Sequence, residues 1–249
     1  MTGTAPPGVS GEQSASNWVR GMFGRIAGHY DLLNHLLSFN MDRRWRARTV
    51  EKIAPLAARA DARVLDLCCG TGDLLLAIEA RTRSNGSRPQ PIMGSDFCHP
   101  MLAEAQRKIA DRKISSPLFE ADALSLPLAD GSLDLITVAF GFRNLANYRR
   151  GMQELWRVLK PGGVVAILEF SQPTNRAFGM VYGFFSAKVL PWVGGVVSGS
   201  HDAYSYLPES IRRFPGAEEL AAELRAANFS HVEFERMTGG AVALHLARK

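Results

Sequence analysis

Acidic and glycine residues sit where apolar runs end, and their spacing is that of a nucleoside-binding site. The run Val64-Leu65-Asp66-Leu67 passes into Cys68-Cys69-Gly70-Thr71-Gly72-Asp73, a glycine-bearing turn ahead of a helix predicted over 74–80. Without a Cβ, a glycine backbone lets a ligand approach closely. A second run, Pro91-Ile92-Met93-Gly94-Ser95, ends in Asp96, followed by Phe97. An acid at the tip of the strand after such a turn can grip a ribose diol, although Asp96 also reads as an ordinary turn residue. Asp122 and Ala123 follow a third run, and the Asp122 carboxylate either accepts from an adenine amino group or caps a helix.

Two nucleoside ligands fit this outline, a dinucleotide and S-adenosylmethionine. A dinucleotide fingerprint places a glycine three residues after the second one, and none stands three residues after Gly72. A pyrophosphate would lack its seat, whereas the amino-acid end of S-adenosylmethionine needs only backbone groups and polar contacts. Arg143 and Asn144 follow a fourth apolar run, at the carboxyl end of a strand, where open α/β sheets bind ligands. A guanidinium is almost always protonated, so Arg143 cannot act as a direct base. It either stabilises an anion, orients a water, or forms a structural ion pair. Tyr30 and Asn34, at i and i+4, share one helix face and can cap a ring. His29 and His201 are titratable, but read more simply as packing or helix-end residues.

Alternating strands and helices must position these groups. Strands are predicted at 63–67, 92–96, 118–121, 135–140 and 164–170, with helices between them. Met152, Leu155, Trp156 and Leu159 form an apolar helical stripe, which Lys160-Pro161-Gly162-Gly163 stops. Near-continuous apolar strands mean a parallel sheet covered on both faces. After a final helix over 217–227, segments 232–236 and 241–247 read as a hairpin, which makes the last strand antiparallel. That ending suits methyltransferases better than dehydrogenases. Residues 17–60 read as a helical substrate cap and 61–249 as the ligand-binding domain, with 171–215 an inserted lid. Within the lid, 177–199 is apolar, but Lys188 and Pro191 argue against a transmembrane span and for a lid or interfacial helix.

The 249 residues, 46% apolar, suffice for one α/β domain with appendages. A net charge of +5 and a pI near 9.3 favour anionic surfaces. The sequence lacks arginine-glycine repeats and aromatic-basic alternation, so a membrane surface is expected rather than nucleic acid, met by the apolar segment 177–199 at its acyl chains and by the basic helix 43–48 at its anionic headgroups. Residues 1–16 are small and polar, have no signal-peptide pattern, and read as a disordered tail. Three cysteines in no ligating arrangement fit a reducing cytoplasm, with Cys68 and Cys69 as packing residues and no metal site.

From about Val19 to its C-terminus the chain resembles the ubiquinone/menaquinone-biosynthesis C-methyltransferases, which have the class I S-adenosylmethionine-dependent fold. The resemblance is carried by Phe23-Gly24-Arg25-Ile26-Ala27-Gly28-His29-Tyr30-Asp31, Arg43-Arg44-Trp45-Arg46 and Phe140-Gly141-Phe142-Arg143-Asn144-Leu145. Most specific is Asp202-Ala203-Tyr204-Ser205-Tyr206-Leu207-Pro208-Glu209-Ser210 running into Ile211-Arg212-Arg213-Phe214-Pro215, and Thr238-Gly239-Gly240 closes the pattern. It implies a Rossmann-like, mostly parallel seven-stranded sheet. It also implies S-adenosylmethionine held by Thr71, Asp96, Asp122 and Ala123, with Gly70, Gly72 and Phe97 beside them. Arg143, Asn144 and Tyr30 match positions that serve the substrate and its activation. Where relatives often carry a serine, this chain has Ala139. The implied reaction is C-methylation of a prenylated quinol, demethylmenaquinol first and a benzoquinol second, by a cytoplasmic protein at the inner membrane face. A nicotinamide oxidoreductase and a non-catalytic scaffold are the competing classes. Oligomeric state, including a homodimer, stays open.

Overall fold

A computed structural model describes residues 3, 4, 6–84, 90–174 and 201–249. Its centre is a seven-stranded sheet of order β3-β2-β1-β4-β5-β7-β6. The strands are β1 Val64–Leu67, β2 Met93–Asp96, β3 Leu118–Glu120, β4 Leu133–Ala139, β5 Leu159–Phe170, β6 Ser230–Met237 and β7 Val242–Arg248. The first five run parallel, and β7 is antiparallel to both β5 and β6, as the terminal hairpin requires.

Alternation along the central strands divides the core into two layers. Ile136, Val138, Val165 and Ile167 face Met152 and Leu155 of α6 (Tyr148–Val158) and Leu220 and Leu224 of α8 (Ala217–Ala226). Leu135, Ala166 and Leu168 face the opposite way, against Trp45 and Ile53 of α3 (Met41–Ala57) and Leu75 and Ile78 of α4 (Asp73–Ser84). Both faces are therefore covered, which explains why these strands read as continuous apolar runs.

Three local features differ from expectation. Helix α6 ends at Val158, and Leu159, expected on its apolar stripe, is already extended, so Lys160-Pro161-Gly162-Gly163 does not stop the helix but bulges within β5: Leu133 pairs with Leu159, and Leu135 with Val164. Helix α1 (Glu12–Ile26) begins inside the segment 1–16 expected to be disordered, and the Thr4 N–H donates to the Leu145 carbonyl. Its buried Ala15, Val19 and Met22 give this helix a packing face, so a small, polar composition did not preclude order. The basic run 43–48 is not a single solvated face. Arg46 is buried beside Asp42, and Arg48 pairs with Glu51 and Glu235, leaving Arg43 and Arg44 exposed.

Helices α1, α2 (Tyr30–Leu37) and α5 (His99–Asp111), together with α7 (His201–Arg213), lie around the carboxyl ends of β1, β2 and β4. The apolar run 177–199 lies outside the described residues. Among those described, no helix is long and apolar enough to cross a membrane.

Candidate active site

The glycine turn is built on Asp66, inside β1. Its carboxylate accepts from the Leu75 N–H of α4 at 3.1 Å and from the Thr137 hydroxyl of β4 at 2.6 Å. One side chain thus ties the first strand, its neighbour and the following helix. Burial pushes its pKa up to about 7, against those two hydrogen bonds. Beyond it the backbone turns left-handed at Cys68, Gly70 and Gly72, with φ of 53°, 54° and 82°. A Cβ on Gly141 would lie 2.4 Å from the Cys68 Cβ, so glycine there brings the turn after β4 against the turn after β1. Cys68 and Cys69 are free thiols whose pKa values burial drives upward, which suits packing residues and not thiolate ligands.

Asp96 closes β2 from within this fold of turns. Its two oxygens accept from the Gly70 N–H and the Cys98 N–H, each at 2.9 Å. Burial raises its pKa to about 6, and the backbone donors pull against that rise. The carboxylate is therefore fixed in direction and retains lone pairs for a diol. Asp122 is exposed, and its Oδ1 accepts from the Leu124 N–H at 2.9 Å. It caps a turn, because no helix follows β3 directly.

Tyr30 stands above Gly70, its Cε1 4.0 Å from where a Cβ would be, and meets Phe23 edge to face at 5.9 Å. Burial raises the phenol pKa while the Arg143 charge lowers it, leaving a neutral donor near pH 7. A polar clamp holds this helix down. Lys108 of α5 contacts Asp31 at 2.6 Å and Asp73 at 2.5 Å, and the Thr71 hydroxyl donates to Asp31 at 2.5 Å. Asp73 also meets Arg46 at 3.5 Å, and Arg46 bonds Asp42, which His35 approaches at 2.7 Å. His35, Asp42 and Asp73 bring their ligand atoms within 4.8 Å of one another, but Arg46 bridges the carboxylates and supplies the cation.

The turn after β4 sets another side of the site. Phe140 adopts a φ of 57°, strain of a kind that gathers at functional sites. Its carbonyl accepts from Arg143 Nη1 and, at 3.4 Å, from Asn144 Nδ2. Its ring packs on Trp45 at 5.9 Å and Phe170 at 4.9 Å, and the Arg143 guanidinium lies 5.1 Å from the Phe170 ring centroid. Arg143 Nη1 also pairs with Glu169 at 2.9 Å, while Arg143 Nε is buried with no hydrogen-bond partner among the described residues. Asn144 Oδ1 accepts from the Tyr206 hydroxyl at 2.9 Å, and that hydroxyl lies 2.6 Å from Thr4 Oγ1. Trp45 Nε1 in turn donates to Thr238 at 2.8 Å, joining two segments far apart in the chain.

These groups surround an open cleft. Tyr30, Gly70, Asp96, Phe97, Asp122, Ala123 and Asn144 line it, as does Ala139 at the end of β4. Three of the anticipated residues stand behind the wall. Thr71 is engaged with Asp31, Gly72 packs on Ala105, and Arg143 is held by Glu169. Asp66, Lys108, Glu169 and Tyr206 were not assigned roles from sequence, and only Tyr206 carried a signal, as part of the distinctive 202–210 segment.

The chain is 48% identical over 225 residues, 90% of its length and 98% of the relative's, to a protein of Thermus thermophilus named demethylmenaquinone methyltransferase. It is 39% identical to the ubiquinone/menaquinone biosynthesis C-methyltransferase UbiE of Idiomarina loihiensis, covering 94% of this chain and 91% of that one. Among solved structures, a SAM-dependent methyltransferase of Thermotoga maritima superposes with a TM-score of 0.60 at 18% identity, covering 92% of this chain and 99% of that one, a likeness of fold. The family model matches residues 10–249, and the chain belongs to the ubiE/COQ5 methyltransferase family.

Proposed function

We propose that the protein transfers a methyl group from S-adenosylmethionine to a ring carbon of a prenylated quinol, demethylmenaquinol in the first instance, yielding menaquinol. The observation that carries this reading is the turn Phe140–Asn144, which sets the Asn144 amide in the cleft that Tyr30 and Asp96 also line and holds a buried guanidinium behind its wall. Relatives that match nearly the whole chain are named for this reaction. A benzoquinol substrate is the second reading, supported by relatives whose names include ubiquinone.

The residues present fit the methyl donor. A directed, nearly buried carboxylate at Asp96 suits a ribose diol, Gly70 admits close backbone approach, and Phe97, Ala123 and Asp122 suit an adenine. Thr71 contributes by holding Asp31, and so Tyr30, over the turn. Ala139 offers a methyl group where a serine would offer a hydroxyl. When bound, S-adenosylmethionine supplies an electrophilic methyl on a sulfonium.

The chain's own task is to make the quinol carbon nucleophilic. Loss of a hydroxyl proton turns the ring electron-rich at the adjacent carbon. Arg143, kept protonated by Glu169, stabilises the phenolate as it forms. The hydroxyl proton passes to water in the cleft; once the ring carbon has taken the methyl group, that carbon gives up its own proton and the oxygen regains one, which restores the aromatic quinol. Asn144 and Tyr30 orient the ring by donating to its oxygens, and Tyr206 fixes which face Asn144 presents. The quinol's polyprenyl tail belongs in the lipid phase, so the protein works at the membrane surface. The test is the quinone profile of cells lacking the protein, read by mass: the reading requires accumulation of a quinone short of one methyl group.

A further inference from the structure

Among the described side chains of α2, which carries Tyr30, none is fully buried. A helix of eight residues is marginal without packing, so its polar tethers decide where it stands. Its C-terminal half is tied to α3, where His35 meets Asp42 at 2.7 Å. Its N-terminal end bears Tyr30. There the next residue, Asp31, meets Lys108 of α5 at 2.6 Å and accepts from the Thr71 hydroxyl at 2.5 Å.

Helix α5 brings Lys108 to this place. The helix starts at Asp96, because the Cys98 N–H that opens it donates to that carboxylate. It then passes the glycine turn so closely that a Cβ on Gly72 would lie 3.3 Å from that of Ala105. Lys108, three residues on and so on the same side, reaches Asp31, Asp73 at 2.5 Å and the Thr71 hydroxyl at 3.2 Å. Its side chain is 14% exposed, and a lysine is seldom so far buried unless paired. Two carboxylates from different helices thus share one ammonium. Burial would raise the Asp73 pKa, but the charges of Arg46 and Lys108 hold it below the ordinary carboxylate value. Without the ammonium, Asp31 would face that anion, and the tether would become a repulsion.

We propose that Lys108 is a positioning residue for methyl transfer, fixing Tyr30 over the glycine turn by drawing Asp31 of α2 against Asp73 and Thr71. Lys108 is not part of the cleft lining, so it acts through Tyr30. The height of Tyr30 above Gly70 sets the gap in which the acceptor ring meets the methyl group. That the ring is a quinol rests on the functional reading above; the tether does not.

The test is methyl transfer to a demethylmenaquinol with a short, soluble tail. Lys108→Met keeps the side-chain length and removes the charge. It should lower kcat/KM for the quinol about a hundredfold, the scale of a small misplacement of an orienting group, with S-adenosylmethionine affinity by calorimetry little changed. Lys108→Arg, which keeps the charge, should restore most of the rate. Tyr30→Phe should cost about tenfold in the wild type but add little in Lys108→Met, since a displaced tyrosine has no hydroxyl in place to lose. Asp31→Ala leaves the Lys108–Asp73 pair intact and should reproduce the Lys108→Met kinetics, which decides the matter if Lys108→Met does not fold. Backbone hydrogen exchange over residues 31–37 should quicken in both variants. Equal costs of Tyr30→Phe in the two backgrounds would overturn the proposal. So would a loss confined to cofactor affinity, which would make Lys108 a support of the glycine turn alone. If the wild-type protein methylates no quinol, the functional reading fails, and hydrogen exchange then decides the tether: unchanged exchange in Asp31→Ala would overturn it.

Discussion

Glu169, near the end of β5, and Arg143, in the turn after β4, form a 2.9 Å ion pair with both side chains almost wholly buried, and Glu169 also accepts the Arg143 backbone N–H at 3.2 Å. Burial alone disfavours a guanidinium cation, and Glu169 more than reverses this, so the Arg143 pKa is raised. Arg143 is thereby fixed in place and in charge. Its contribution has to be electrostatic, delivered to an anion that forms beside it.

Arg143→Ala should accordingly lower turnover on the order of a hundredfold or more, the usual loss for one preorganised donor, with S-adenosylmethionine affinity nearly intact. Glu169→Ala leaves the buried cation uncompensated and should destabilise the fold by about 3–5 kcal/mol. Glu169→Gln keeps the shape and should retain more stability than Glu169→Ala while still losing turnover. Single-turnover kinetics and calorimetry, run on the same preparations, separate these effects. A fall in cofactor affinity at constant turnover would make Arg143 a cofactor residue.

Asp96 makes cofactor binding pH-dependent. A ribose diol is accepted by the ionised carboxylate, and burial has raised the pKa to about 6. At pH 5 about one carboxylate in ten is ionised, so affinity should be about tenfold weaker there than at pH 7.5. Asp96→Asn should abolish the slope, and Asp96→Ala should weaken binding at least tenfold at pH 7.5. For stability the sign is opposite. The folded pKa lies above the unfolded one, so the stabilising contribution is full below 3.8 and is lost as pH rises to about 6. Asp66 acts likewise up to about 7. Isothermal titration across pH, with thermal melts alongside, checks both signs.

The sheet was legible because its signals are local. Apolar runs, Asp96 at a strand tip and the terminal hairpin need only neighbouring residues to be read. The Glu169–Arg143 pair was not legible, since nothing near Glu169 in the chain distinguishes a pairing acid from a strand-end acid. Lys108 was hidden for the same reason: its partners Asp31 and Asp73 come from two other helices. Composition misled twice. The small, polar 1–16 segment holds the start of α1, and the run of arginines at 43–48 divides between buried pairs and exposed charges because a helix turns successive residues to different faces.

Gly141→Ala tests how closely the two turns meet. The new Cβ would fall 2.4 Å from that of Cys68, and relieving the overlap should cost about 1–3 kcal/mol and displace Arg143. Adding Cys68→Gly removes the opposing atoms and frees a left-handed position, so the double variant should recover stability and most of the turnover. Melting temperatures and initial rates of the single and double variants decide it; no recovery would mean the contact is not the cause.

Tyr206→Phe removes the hydroxyl that donates to Asn144 and lies 2.6 Å from Thr4 Oγ1. Leaving Asn144 Oδ1 unpaired costs about 1–3 kcal/mol. The expected outcome is roughly a tenfold loss of turnover, with KM for S-adenosylmethionine unchanged. An equal loss in cofactor binding would place Tyr206 in the cofactor site instead.

The most direct measurement is methyl transfer itself. Purified protein is incubated with methyl-deuterated S-adenosylmethionine and demethylmenaquinol in anionic vesicles, and the quinone product is fragmented in a mass spectrometer. The account predicts one deuterated methyl group on the ring carbon, formed by the wild-type protein and about a hundredfold more slowly by Arg143→Ala. A methyl group on oxygen, or bound cofactor with no transfer to any quinol, would contradict it.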